Sequence, residues 1–288
     1  MDILLLFSPH FGILNAPLAS NGRIIRHQQK KRSEVMDIWK ELRDEGIDPS
    51  LLEEIQHFRA AHPVPPEAAA RIPVPQCLYY GKEVWESAAA ALLCGQHLLL
   101  AGPKATGKNV LAENLAAVFG RPVWDVSMYV NVDAAALIGA DTLQKGEVVF
   151  REGPICRCAR LGGFGVLDEV NMAKNEALAV LHATLDHRRV IDVPGYERIT
   201  LDDATRFIGT MNYGYAGTRE LNEALVSRFA VLDMPVISDT DLQKLLRRTF
   251  PTLSAKWAEQ FALLFRDLRQ KCDSGEISTK TLDLRGLL

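Results

Sequence analysis

The chain has 288 residues, of which 48% are apolar and 24% are charged, enough for one large domain and a smaller appended one. Its 33 basic and 36 acidic side chains give a formal charge of -3, which disfavours nucleic-acid binding through bulk charge. No apolar run approaches the roughly 18 residues of a membrane-spanning helix, and the five scattered cysteines are typical of reduced thiols. We therefore predict a cytoplasmic protein without membrane association.

The N-terminal part differs in character from the rest of the chain. Residues 1–35 begin apolar and then become basic, the reverse of a secretory signal, so we expect a disordered tail or a start set too early, with Met36 as the true first residue. Apolar residues at helical spacing then predict a helix over 35–42, and the pair Asp48-Pro49 predicts the start of a second. A proline-rich connector over 62–75 marks a domain boundary, so the first predicted segment is 1–77.

Beyond residue 77, strands alternate with helices, which is typical of a parallel sheet covered on both faces. The predicted fold class is therefore α/β, with three αβα layers over 78–235 and a small, truncated helical lid over 236–288. The predicted strands are 97–101, 123–130, 164–167 and 207–210; the predicted helices are 109–119, 221–229 and one carrying Leu178, Leu181 and Leu185. Two insertions are also predicted, one at 146–150 and one a hairpin of residues 190–193 and 198–201.

Residues 102–109 match the phosphate-binding P-loop pattern and lie between a predicted strand and a predicted helix. Glycines let backbone N–H groups turn toward phosphates, Lys108 supplies positive charge, and the helix N-terminus adds its dipole. Asn109 replaces the usual Ser or Thr ligand of Mg²⁺, and its amide oxygen can ligate the metal with altered geometry. The predicted nucleotide-binding residues here are Gly102, Pro103, Lys104, Ala105, Thr106, Gly107, Lys108, Asn109 and Val110.

Polar residues at the ends of two further strands predict catalysis. Asp168 and Glu169 end an apolar strand, where Asp168 would join Asn109 in holding Mg²⁺ and Glu169 would activate water as a general base. Asn212 comes after the strand 207–210 and would orient that water or contact the γ phosphate. Arg228, at the end of the predicted helix 221–229, would stabilise transition-state charge across a subunit boundary. The predicted catalytic residues are thus Glu169, Asn212 and Arg228.

The ordered segments GPKATGKN, GGFGVLDEVNMA, RVIDVPGYERI, FIGTMN and GTRELNEALVSRF resemble the MoxR-type AAA+ ATPases of the dynein-related branch, over roughly residues 78–288. The resemblance implies a P-loop AAA+ domain with its lid. The implied roles are Walker A for Lys108 and Asn109, Walker B for Asp168 and Glu169, sensor 1 for Asn212, and an arginine finger for Arg228. Residues 137–150 would face a central pore. Sensor 2 aligns with Lys280 or Arg285, and we predict Arg285 because Gly-Leu-Leu comes directly after it.

The same resemblance implies that ATP and Mg²⁺ are the cofactors and that the chain forms a ring homo-oligomer, a hexamer. Such rings hydrolyse ATP at subunit interfaces to remodel or activate a client protein, as chaperones that often act with a partner carrying a von Willebrand factor A domain. Two alternatives stay open: an ATP-binding switch with little turnover, which Asn109 makes worth testing, and a nucleic-acid-associated AAA+ motor, which the acidic balance disfavours. A small-molecule P-loop kinase would need neither Arg228 nor a lid.

Overall fold

The computed structural model describes residues 36–193, 195–213 and 220–276. The predictions for residues 1–35, Lys280 and Arg285 lie outside these ranges. The helices are α1 (Ile38–Asp44), α2 (Pro49–Ala61), α3 (Lys82–Leu93), α4 (Lys108–Val118), α5 (Ala134–Ile138), α6 (Pro154–Arg160), α7 (Asn175–Leu178), α8 (His182–Leu185), α9 (Glu223–Val226), α10 (Asp239–Thr249) and α11 (Ala255–Asp273). The strands are β1 (His97–Gly102), β2 (Val123–Ser127), β3 (Gly139–Gln144), β4 (Glu147–Glu152), β5 (Phe164–Asp168), β6 (Val190–Ile191), β7 (Ile199–Thr200), β8 (Arg206–Asn212) and β9 (Phe229–Asp233).

Five strands form a parallel sheet in the order β2-β5-β8-β1-β9. Consecutive residues of β1 belong to different cores: Leu98 and Leu100 pack into one apolar cluster, whereas Leu99 packs into the other. This is the alternation expected of a strand with helices on both faces. The predicted α/β class with three αβα layers is therefore confirmed. At the carboxyl ends of β1, β5 and β8, the chain leaves the sheet along one edge.

The first core cluster joins segments that are distant in sequence. It contains Ile38 and Leu42 of α1, Leu111 of α4, and Leu242 and Leu246 of α10. Both predicted N-terminal helices are present. Helix α1 covers Ile38–Asp44 instead of the predicted 35–42, because Asp37 caps its start, and Asp48 caps α2 as predicted. The C-terminal part is helical as predicted, with α10 and α11 packed together.

Three predicted elements differ from the structure. The strand predicted over 123–130 stops at Ser127 because its neighbour β5 stops at Asp168, the register partner of Ser127. The predicted helix with three leucines is two short helices separated by a 3-10 turn at Ala179–Leu181. The predicted helix over 221–229 covers only Glu223–Val226, because Phe229 begins β9 and pairs with His97 of β1.

The two predicted insertions are both antiparallel hairpins. The pairing of β3 with β4 extends the predicted insertion at 146–150 back to Gly139, and β6 pairs with β7 as predicted. Among the described residues, no helix has the length and apolar character that crossing a membrane requires.

Candidate functional site

The phosphate-binding loop connects β1 to α4, as the sequence predicts. Gly107 directly precedes α4 with φ 84°, a left-handed conformation that glycine adopts without strain. A Cβ atom placed on Gly107 would lie 3.0 Å from the Cδ2 atom of Tyr79. Glycine is thus required here both by the backbone turn and by the ring of Tyr79.

Lys108 lies folded across this loop. Its Nζ donates hydrogen bonds to the carbonyl oxygens of Pro103 at 2.7 Å and Gly102 at 3.0 Å, and to the hydroxyl of Thr106 at 3.3 Å. Burial lowers the pKa of Lys108 to about 8, while the nearby carboxylates of Asp168 and Glu169 oppose that shift. The loop therefore presents a single buried cation between its own carbonyl groups and the acidic pair.

The acidic pair is positioned by its neighbours on both sides. The backbone N–H of Met128 donates to the carbonyl oxygen of Asp168 at 2.8 Å. The hydroxyl of Thr210 on β8 donates to Oδ1 of Asp168 at 2.6 Å and accepts from the backbone N–H of Glu169 at 3.0 Å. Glu169 itself has φ 55°, which is uncommon for a residue with a side chain.

Asn212 and Glu169 are in direct contact. The amide Nδ2 of Asn212 donates to Oε1 of Glu169 at 2.9 Å, and Asn171 donates to the carbonyl oxygen of Asn212 at 2.8 Å. Glu169 is exposed and Asn212 is half-buried. The candidate base and the candidate water-orienting amide thus meet at the open end of β5 and β8.

A cavity of about 510 Å³ lies between α4, β2 and β5, on the side of Asp168. Its lining includes Asn109, Asp168, Glu113 and Asp125. Burial raises the pKa of Asp125, the charge of Asp168 adds to that shift, and Arg71 opposes it. Amide and carboxylate oxygens are the ligands that Mg²⁺ prefers, together with phosphate oxygens, so Asn109 and Asp168 fit the metal predicted for them.

Arg228 does not join this group. It precedes Phe229, which pairs with His97 at the amino end of β1, whereas the phosphate loop leaves from Gly102 at the carboxyl end. At a rise of about 3.3 Å per residue, the two ends are about 17 Å apart. Its guanidinium instead donates to the carbonyl oxygens of His182 and Ala224 and lies 3.7 Å from Asp186.

Sequence reasoning found the charged residues of the site but missed the side chains that hold them. Thr210 and Asn171 were not predicted to act, although Thr210 is two residues before Asn212 and so shares its face of β8. Asp186 was missed as the partner of Arg228. Its carboxylate also binds Arg188 at 2.6 Å, and that hydrogen bonding lowers the pKa of Asp186 to about 2.

Comparison with known proteins identifies an AAA domain in this chain. A profile of the AAA domain, dynein-related subfamily, covers residues 97–229, which extend from the start of β1 to the start of β9. The chain is 36% identical to the uncharacterized protein YojN of Bacillus subtilis over 203 residues, 69% of this chain and 67% of that protein. It is 33% identical to an uncharacterized protein of Staphylococcus haemolyticus over 213 residues, 72% of this chain and 81% of that protein. Residues 97–229 of the chain thus form an AAA domain of the dynein-related subfamily.

A solved structure shares the fold of this AAA protein. The crystal structure of a candidate ATPase from Cytophaga hutchinsonii superposes with a TM-score of 0.51 at 17% identity, over 79% of this chain and 67% of that one. The family profile contains Lys108, Asp168, Glu169, Asn212 and Arg228 within its bounds. The N-terminal helices α1 and α2 and the helices α10 and α11 lie outside them.

Proposed function

We propose that this AAA protein binds ATP with Mg²⁺ and hydrolyses it at interfaces between subunits of a ring, a hexamer, to remodel or activate a client protein. The contact between Asn212 and Glu169 carries the proposal. It places an amide donor on the candidate general base, beside the lysine of the phosphate loop and at the carboxyl edge of a parallel sheet, where such sheets bind ligands.

The chemistry depends on the positions of the side chains. Backbone N–H groups of residues 104–107 and the Nζ of Lys108 would bind the phosphates. Glu169 would accept a proton from water, and Asn212 would orient that water and the carboxylate. Mg²⁺, held by Asp168 and Asn109, would neutralise charge developing on the phosphate oxygens.

The finger role of Arg228 is proposed for a neighbouring subunit's site, because the residue lies at the opposite end of β1 from its own phosphate loop. In that role the guanidinium would exchange its contacts with His182, Ala224 and Asp186 for the phosphates bound by a second chain, and two chains would then complete one site. A client protein, and a partner with a von Willebrand factor A domain, remain parts of the proposal that rest on the resemblance to MoxR-type proteins.

The test is the Glu169→Gln variant, which keeps the shape of the side chain and removes its basicity. We expect ATP binding to persist while turnover falls by about 100-fold or more, the scale of general-base catalysis. Loss of turnover in Arg228→Ala, restored when that variant is mixed with Glu169→Gln, supports the shared site. A wild-type protein that binds ATP with no more turnover than Glu169→Gln contradicts hydrolysis and supports a nucleotide switch.

A further inference from the structure

Thr210 contacts both acidic residues of the site through one hydroxyl group. Its side chain is 1% exposed. The hydroxyl donates to Oδ1 of Asp168 at 2.6 Å and accepts from the backbone N–H of Glu169 at 3.0 Å. Both bonds have the short lengths of well-formed hydrogen bonds, and the first is charge-assisted.

The hydroxyl acts where the backbone pairing of two strands ends. The register of β5 and β8 runs from Phe164 opposite Arg206 to Leu167 opposite Gly209. The next residues along these strands are Asp168 and Thr210. Here the side chain of Thr210, rather than a backbone carbonyl, accepts the N–H of Glu169, so the hydroxyl prolongs the connection between strands by one step.

This step coincides with an uncommon backbone conformation. Glu169 has φ 55° and ψ 50°, a left-handed conformation that residues with a Cβ atom rarely adopt. The hydrogen bond to Thr210 fixes the N–H of that residue and therefore the direction in which its side chain leaves the backbone. The carboxylate of Glu169 then meets Nδ2 of Asn212.

We propose that Thr210 is the positioning residue of this site, with a hydroxyl that orients the carboxylate of Asp168 toward Mg²⁺ and the backbone of Glu169 toward the attacking water. The proposal rests on the proposed function as an ATPase. A carboxylate has two oxygens, so fixing Oδ1 sets the plane of Asp168 and leaves Oδ2 to serve as the ligand. Removing a group that orients a metal ligand in this way typically lowers metal affinity or activity by about 10- to 100-fold.

The test compares Thr210→Val with Thr210→Ser. Valine keeps the branched shape and removes the hydroxyl, whereas serine keeps the hydroxyl. We measure the affinity of a fluorescent ATP analogue as Mg²⁺ is titrated, together with kcat and KM for ATP. For Thr210→Val we expect about a 10- to 100-fold rise in the Mg²⁺ requirement and a similar fall in kcat, with little change in the KM for ATP. Thr210→Ser should restore most of both losses.

Thr205→Val is the matched control. Thr205 is also fully buried, directly precedes β8, and donates its hydroxyl to the carbonyl oxygen of Ala159 at 3.2 Å. The Thr205→Val variant therefore lacks a buried hydroxyl next to the start of β8, whereas Thr210→Val lacks one near its end. We expect Thr205→Val to lower the thermal unfolding midpoint much as Thr210→Val does, and to leave the Mg²⁺ requirement at the wild-type value.

Two outcomes overturn the assignment while leaving the ATPase proposal intact. One is a Thr210→Val protein with the wild-type Mg²⁺ requirement, and the other is a Thr210→Ser protein as impaired as Thr210→Val. If the valine variant does not fold, Thr210→Ala replaces it in the comparison with serine under the same expectations. A wild-type protein that binds no nucleotide overturns the proposed function, and the role of Thr210 with it.

Discussion

Asn109 is the residue at which the phosphate loop departs from the usual pattern, and it lines the same cavity as Asp168. Mg²⁺ demands near-octahedral geometry and keeps several of its waters, and the longer side chain of Asn109 places its oxygen differently from the hydroxyl of the usual Ser or Thr. We predict that Asn109→Thr raises turnover by about tenfold, equivalent to about 1.4 kcal/mol of barrier, and lowers the Mg²⁺ concentration needed for half-maximal rate. Steady-state kinetics over a Mg²⁺ series measures both quantities.

Asn109→Ala supplies the comparison for this prediction. If the amide oxygen takes part in metal binding, the alanine variant should be slower than wild type and need more Mg²⁺. Equal rates for the asparagine, threonine and alanine proteins would show that position 109 has no part in binding the metal.

His97 gives the fold a pH dependence of its own. It is 3% exposed at the start of β1, and its Nδ1 accepts the backbone N–H of Phe207 at 3.0 Å. Burial lowers the pKa of His97 from 6.5 to about 3, and the charges of Arg189 and Arg206 add to that shift. The folded state therefore keeps this imidazole neutral, while the unfolded chain takes up a proton below pH 6.5.

This difference in proton binding makes acid destabilising. The contribution of His97 is fully present above the unfolded pKa of 6.5 and is lost as pH falls toward 3. We predict that the free energy of unfolding drops by about 1.4 kcal/mol per pH unit in this range from His97 alone. Urea unfolding at about pH 7.5 and about pH 5.5 should show the drop in wild type and a smaller one in His97→Asn, whose amide oxygen can still accept from Phe207. If the free energy of unfolding falls equally between these two pH values in wild type and in His97→Asn, the prediction is wrong.

At the scale of elements, the two hairpins contact each other through Tyr196. Its hydroxyl donates to Asp141 on β3 at 2.7 Å, and its ring lies 5.0 Å from that of Phe150 on β4. Hydrogen bonds of this kind contribute about 0.5–1.5 kcal/mol. We predict that Tyr196→Ala speeds hydrogen exchange of the amides of β3 and β4 by up to about tenfold, whereas Tyr196→Phe has a smaller effect because it keeps the ring contact.

Exchange measured by mass spectrometry tests this coupling. Tyr129→Ala is the matched control, because Tyr129 is an exposed tyrosine outside both hairpins. Exchange in β3 and β4 that is the same in Tyr196→Ala and Tyr129→Ala would mean that the two hairpins move independently.

The sequence predicts some of these elements better than others, for physical reasons. The strands β1 and β5 are predicted because strands buried on both faces read as short apolar runs. Helix α3 was not predicted, although Trp85, Ala88, Ala89 and Leu92 are buried at helical spacing, since alanine gives a weak apolar signal. Strand β9 was missed because it continues directly from α9, and only pairing with β1 decides where the helix ends.

The candidate site shows the same division. The glycines and lysine of the phosphate loop and the carboxylates of Asp168 and Glu169 indicate their chemistry by residue type and spacing, so they were predicted from the sequence. Thr210 was not, because the role of a hydroxyl depends on which strand lies beside it. The position of Arg228 at the far end of β1 also needed the register of β9. Residue type thus predicts the reacting groups, while sheet order determines what holds them.

At the scale of the whole molecule, ion pairs connect the N-terminal helix α1 to the C-terminal helix α10. Lys244 on α10 lies 2.6 Å from Glu45, directly after α1, and Arg248 pairs with Glu41 on α1. Lys244 also lies over the ring of Tyr80. Helix α1 has only seven residues, too few to be stable alone in water, so its order depends on these contacts and on the buried Ile38 and Leu42.

We predict that reversing one charge of this connection loosens α1 without unfolding the domain. In Lys244→Glu, repulsion from Glu45 replaces attraction, and partly exposed ion pairs contribute about 0.2–1 kcal/mol each. Hydrogen exchange of α1 should therefore rise by a few fold, while the global unfolding midpoint changes little. Adding Glu45→Lys to Lys244→Glu restores the opposite charges and should return exchange toward wild type.

Salt at about 1 M should loosen wild-type α1 as well, because it screens exposed pairs. If exchange in α1 is the same in wild type, single variant and double variant, then the ion pair between Lys244 and Glu45 does not contribute to the order of the helix.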